Sequence, residues 1–154
     1  MSETKTIVVY VDADACPVKD ETYRVAARHG LPVVVVANSF LQVPREPWIE
    51  RVVVSDRFDA ADDWIADAAG PTNVVVTADI PLASRALEKG AAVIGPDGRP
   101  FTPESISTAL SMRSFNQHLR ETGESKGYNR PFAPQDRSRF RGELDRLLRR
   151  LTSR

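Results

Sequence analysis

The sequence predicts an α/β fold: a three-layer arrangement around a parallel sheet of about five strands, with a helical extension at its C-terminal end. Three observations predict it. Val/Ile-rich runs at 7–11, 33–37, 51–54 and 74–77, with a shorter one at 91–95, are almost continuously apolar. Such runs suit strands covered on both faces, whereas a strand with one wet face alternates. Segments with helical periodicity separate most of them. At 154 residues the chain can form one domain that buries roughly 70% of the surface its unfolded form exposes.

The first strand, IVVYV, runs into Asp12-Ala13-Asp14. After Cys16, Pro17 suits a first helical position, where its missing N–H costs nothing. Val18, Thr22, Val25 and Ala26 then share one face until Gly30. VVVVA is the second strand. Residues 39–50, SFLQVPREPWIE, contain two prolines and replace the usual crossover helix before the third strand, RVVV. Phe40, Leu41 and Trp48 make this loop apolar, which reads as a packed cover in preference to a lid or an interface. From Asp59 to Ala69, Ala60, Trp64, Ile65 and Ala68 supply a buried stripe that Gly70-Pro71 ends. VVVT, a helix over 80–89 that stops at Gly90, and AAVIG complete the pattern.

Beyond it, PDGR at 96–99 is a turn, and a helix opens near Thr102 with Pro103 at its first position. The Gly/Pro-rich stretch TGESKGYNRPFAPQ is expected to be mobile. A last helix over about 135–151 carries Phe140, Leu144, Leu147, Leu148 and Leu151 on one stripe. The expected organisation is an α/β domain over 1–121, with 122–154 supplying a loop and a helix packed on that same domain.

The lone cysteine, Cys16, excludes an internal disulfide, and no Cys/His spacing suggests zinc, so a reducing cytoplasmic setting is expected. The start of the chain lacks the pattern of a cleaved leader, and no apolar run approaches membrane-spanning length. A net charge of zero hides an asymmetry: residues 1–98 hold nine Lys/Arg against fifteen Asp/Glu, and 99–154 hold twelve against six. A cation-binding pocket beside a phosphate-attracting surface has this distribution. A solvated helix face, on which Arg137, Arg139, Arg141, Arg146, Arg149 and Arg150 meet Glu143 and Asp145, explains the basic half equally well.

In an open parallel sheet, ligands bind outside the carboxyl ends of the strands. Those ends carry Asp12 and Asp14, then Asn38 and Ser39, then Ser55 and Asp56, then Thr77 and Asp79. The helix after the third strand adds Asp59, Asp62 and Asp63 on the same edge. Carboxylates gathered in this way take up protons or bind a cation. Oxygen donors without His or Cys select Mg²⁺ or Mn²⁺, ions suited to phosphate chemistry.

Plainer roles compete. Asp59 is placed to cap its helix, Asp62 and Asp63 to favour its dipole, and Asp14 to cap the helix at Pro17. Asp12 and Asp79 are harder to dismiss, because each ends a buried strand where an unpaired charge is costly. Cys16 reads as a packed thiol, since the Cys-x5-Arg loop of cysteine phosphatases would need an arginine where Thr22 stands. Lys19 and Arg85 could meet a substrate phosphate, although solvation is their default.

The segments VDADACPVKDE, VVVVANS, DAADDWIA, VVVTADIPLA, GPDGRPFT and PFAPQDRSRFRGELDRLL together resemble the YaiI/YqxD family of bacterial proteins over almost the full length. That family is in turn similar to PIN-like nuclease domains. The resemblance implies a sheet order of 3-2-1-4-5 and acidic residues that hold Mg²⁺ or Mn²⁺ for phosphodiester hydrolysis. Carried over, Asp12 matches the first-strand aspartate, Asp62 or Asp63 the central helix acid, and Asp79 the aspartate of the T-x-D-x-x-L motif that starts at Thr77; Asp14 is an additional acid. The missing crossover helix at 39–50 and the added C-terminal region depart from the pattern.

Three functions follow as expectations. The first is a metal-dependent phosphodiesterase or nuclease acting on RNA, with Asp12, Asp14, Asp62 and Asp79 as catalytic ligands and Asp63 as a further metal ligand. Lys19, Asn38, Ser39, Asp59, Thr77 and Arg85 would then orient ligands or substrate. The second is a non-catalytic RNA- or protein-binding module of the same fold. The third is a haloacid-dehalogenase-like phosphatase with Asp12 as nucleophile, although Cys16 stands where that family has Thr or Val.

Overall fold

The computed structural model describes residues 7–57, 59–108, 111 and 132–153. Strands β1 (Val9–Asp12), β2 (Val33–Ala37), β3 (Ile49–Val53), β4 (Val74–Val76), β5 (Ala92–Ile94) and β6 (Pro100–Phe101) form one sheet in the order β3-β2-β1-β4-β5-β6. The first five are parallel, and β6 pairs antiparallel with β5. The order matches the expected 3-2-1-4-5 with one strand added. That extra strand is two residues long, begins with a proline and lies at an edge, where a missing N–H is tolerated.

Alternate residues of the central strands serve two cores. Val9, Val11, Val33, Val35, Val74 and Val76 pack with Val25 and Ala26 of α1 (Lys19–Arg28) and with Phe140, Leu144 and Leu148 of the C-terminal helix (Pro134–Thr152). Val36, Val75 and Val93 pack with Ile65 of α2 (Ala60–Ala68) and with Leu82, Ala83 and Ala86 of α3 (Ile80–Glu88). The sheet therefore lies between two helical layers. No described helix is long and apolar enough to cross a membrane.

The loop between β2 and β3 substitutes for a helix on the first face. Leu41, Val43 and Trp48 are partly buried against that core. Phe40 differs from the expectation, being 70% exposed. Helix α1 starts at Lys19, so Pro17 lies in the preceding turn; the first helical bond runs from the Thr22 N–H to the Val18 carbonyl. Thr102 opens a helix as expected: its Oγ1 accepts from the Ser105 N–H, and Ser105 Oγ accepts from the Thr102 N–H. Residues 103–108 of that helix are described. The rest of it and the expected mobile stretch up to residue 131 lie outside the described residues.

The C-terminal helix is docked by the β5–β6 turn. Gly98 has φ +88°, and a Cβ there would stand 2.8 Å from the Arg139 carbonyl carbon and the Phe140 nitrogen. Only glycine combines that conformation with so close an approach. Within the helix, Arg146 pairs with Glu143, Arg149 with Asp145 and Arg139 with Asp136. Three of its six arginines are thus paired with its own acids, and Arg137 reaches Glu21 of α1.

Candidate functional site

Strand order and register assemble the site. The chain leaves β1 toward β2 and β3 on one side, then returns to place β4 and β5 on the other, so a crevice opens between the carboxyl ends of β1 and β4. With Val11 opposite Val76, the next residues, Asp12 and Thr77, come together. Thr77, 1% exposed, donates its hydroxyl to Asp12 Oδ2 at 2.8 Å and accepts from the Asp79 N–H at 2.9 Å. Asp79 Oδ1 accepts from the Leu82 N–H at 2.9 Å, capping α3, with Pro81 in the first turn.

On the other side, the chain turns after β1 through a short 3-10 segment, Ala13–Ala15, which presents Asp14. Its carboxylate accepts from the Asn38 N–H at 3.0 and 3.2 Å, so it does not cap α1. The Asn38 amide donates to the carbonyls of Ser55 and Arg57, tying the end of β2 to the segment after β3. Asn38 is therefore a bracket between loops. Asp59 stands at the N-cap position of α2 without a side-chain capping bond.

The first turn of α2 separates two neighbours that sequence left equivalent. Asp62 lines the cavity with Asp12, Asp14 and Asp79. Asp63 instead pairs with Arg57 at 3.1 Å and with Arg85 at 2.9 Å, so Arg85 is engaged there too. Lys19 donates to the Cys16 carbonyl at 2.9 Å. Ser39 is exposed and does not line the cavity. Asp56, which the strand ends place on this edge without a ligand role, lines it too, as do Cys16, Ala78 and Pro96. Asp56 was legible: it follows the third strand on the acidic edge. Cys16 packs in the core as expected, with burial as the main cause that pushes its thiol pKa up.

The cavity, of ≈ 560 Å³, is lined by five aspartates and, among the described residues, by no Lys, Arg or His. The electrostatics reflect this. Burial raises Asp12 above the usual carboxylate range, and Asp14 and Asp79 add to the effect, against the Thr77 hydrogen bond. Asp62 is pushed up to about 6, by burial first and then by Asp79, Asp12 and Asp59, with Arg85 opposing.

Such a set of mutually repelling oxygen donors fits a hard dication in chemistry. As the side chains are placed, no three His, Cys, Asp or Glu among the described residues form a group that could hold a metal. Thr77, Asn38 and the α3 N-terminus orient Asp12, Asp14 and Asp79 individually, so chelation would require their carboxylates to rotate.

The family described as "Uncharacterized BCR, YaiI/YqxD family" matches residues 10–150. A "UPF0178 protein" of Mesorhizobium japonicum is 65% identical over 142 residues, covering 92% of each chain. Another, from Bradyrhizobium sp. strain ORS 278, is 55% identical over 97% of this chain and 92% of its own. A third, from Agrobacterium fabrum, is 58% identical over 93% of this chain and 94% of its own. None of these names states an activity.

Proposed function

The chain belongs to the YaiI/YqxD family, and from the chemistry of its acidic cavity we propose that it is a PIN-like, divalent-cation-dependent phosphodiesterase or nuclease acting on RNA in the cytoplasm. The observation that carries this reading is the convergence of Asp12, Asp14, Asp62 and Asp79 on one cavity with no lining cation among the described residues. These residues would hold Mg²⁺ or Mn²⁺. Such an ion, when bound, polarises a phosphoryl oxygen and eases deprotonation of water. Thr77 fixes the rotamer of Asp12 and the backbone before Asp79, and Asn38 holds Asp14, so the chain's own hydrogen bonds position the acids. Asp63, paired with two arginines, supports α2 and is not among the ligands in this reading.

The test is cleavage of a panel of RNAs with Mn²⁺. The wild type is expected to cut at least one of them, and the Asp12→Asn/Asp79→Asn double variant to lose that activity. Undiminished cleavage by the double variant ends the proposal.

Two observations favour a second reading, a non-catalytic RNA- or protein-binding module of the same fold. Asp79 already serves as a helix cap, and the acids are not grouped to hold a metal as placed. Absence of Mn²⁺ uptake in calorimetry, with retained RNA binding, would select this reading.

A further inference from the structure

The C-terminal helix sorts its charges by depth. Its three acids are drawn inward: the side chains of Asp136, Asp145 and Glu143 are 1%, 19% and 33% exposed. Asp136 accepts from the Ala133 N–H at the helix start, and Asp145 Oδ1 meets His29. Arg139, Arg146, Arg149 and Arg150 stand outside them, and no exposed residue of the helix is an acid or a large apolar group. Arg139, Arg146 and Arg150 fall within about 40° of one another around the axis and span about 17 Å along it. The helix dipole accounts for Arg149 and Arg150 in the last turn, but not for Arg139 and Arg146.

These guanidiniums are available. Arg150 has no hydrogen-bond or ion-pair partner among the described residues. The side chains of Arg146 and Arg149, paired with Glu143 and Asp145, remain 69% and 71% exposed, and pairs this exposed are weak enough to re-form around another anion. Together with Glu143 and Ser153, the three arginines line a hollow of ≈ 370 Å³. Gly142 lies between Arg139 and Arg146. A Cβ there would meet nothing within 4 Å and its φ is not positive, so neither packing nor backbone requires a glycine, although glycine weakens a helix interior. It keeps the middle of the arginine face low.

A protein partner needs an apolar patch at the centre of its contact, and a membrane needs apolar side chains to insert; this face offers neither. Guanidinium forks separated by small residues match phosphates instead. With no aromatic on the face to stack a base, a single strand gains charge contacts alone, whereas a duplex brings twice the phosphate density along its axis.

We propose that the outer face of the C-terminal helix is a metal-independent docking surface for the phosphate backbone of double-stranded RNA. None of its arginines lines the acidic cavity. The inference rests on the proposed function only for the ligand being RNA; it requires neither a bound ion nor turnover.

The test is fluorescence anisotropy with a labelled 16-base-pair RNA duplex, in EDTA, on the full chain. The Arg146→Gln/Arg150→Gln variant should bind roughly 10- to 60-fold more weakly at low salt, with the slope of log K against log salt flattened by about 2. Gly142→Glu, which adds a charge without a clash, should weaken binding, Gly142→Lys should strengthen it, and Gly142→Gln should leave it unchanged. Thermal melts establish that each variant is folded. No binding of the duplex by the wild type, equal binding by Gly142→Glu and Gly142→Lys, or tighter binding of a DNA duplex or of vesicles containing phosphatidylglycerol overturns the proposal. Duplex binding that follows these charges, with no RNA cleaved in Mn²⁺, keeps the docking surface and removes the nuclease reading alone; cleavage without duplex binding does the reverse.

Discussion

Replacing Asp62 with asparagine should stabilise the metal-free protein at neutral pH, because the fold holds this carboxyl at about 6 against 3.8 for an ordinary aspartate. The unfolded chain gives up the proton near pH 4, and the folded chain keeps it to about pH 6. Between those values the folded state binds more protons, so stability falls as pH rises, and the full penalty is in place above pH 6. A displacement of this size corresponds to an upper bound of about 3 kcal/mol. Asp62 is only partly buried, and solvent screening reduces the figure to about 1.5 kcal/mol. The charge also favours the α2 dipole by about 0.5 kcal/mol, which the variant forfeits. The net expected gain for Asp62→Asn is about 1 kcal/mol at pH 7.5, or about 2–4 °C in Tm. The assay is thermal unfolding in EDTA at pH 4 and at pH 7.5. A gain at pH 7.5 that disappears at pH 4 fits the electrostatic account. An equal effect at both values, or destabilisation at pH 7.5, would refute it.

Gly98→Ala should cost about 2–4 kcal/mol in urea unfolding, since the added Cβ meets the Arg139–Phe140 backbone at a positive φ. Thr77→Val keeps the side-chain shape but strips partners from Asp12 and from the Asp79 N–H; it should cost about 1–3 kcal/mol, measured the same way. Asp145 lies 2.9 Å from His29 of the turn after α1, and that hydrogen bond is the chief cause holding its carboxyl below the usual range. Its contribution is therefore present above the ordinary carboxylate pKa and lost as pH falls through the folded value. Asp145→Asn should destabilise at pH 7, and the deficit should close below about pH 4 in a pH series of melts.

The sheet was legible because its central strands are covered on both faces, which leaves uninterrupted Val/Ile runs in the sequence. β6 was not, since Pro100–Phe101 is too short to carry a period and forms only by pairing with β5. The acidic edge followed from topology alone, yet the division of labour on it did not. Asp62 and Asp63 differ by about 100° around α2, and only the tertiary placement of Arg57 and Arg85 decides which one faces the cavity. Asp79 carried a local cue, Pro81 two residues later in the first turn, and its carboxylate is indeed spent on a cap as well as on the cavity. Phe40 was expected to pack with Leu41 and Trp48 on composition. It is instead exposed, with the guanidinium of Arg51 from the next strand against its ring, a partner that loop composition does not reveal.

The most direct measurement is a crystal structure of the protein soaked in Mn²⁺, with the ion located by its anomalous scattering. The prediction is a peak in the acidic cavity, within about 2.5 Å of Asp12 and of at least one of Asp14, Asp62 and Asp79, with those carboxylates rotated toward it. A cavity without a peak at saturating Mn²⁺, or a peak held only by Asp63 or the C-terminal acids, would contradict it.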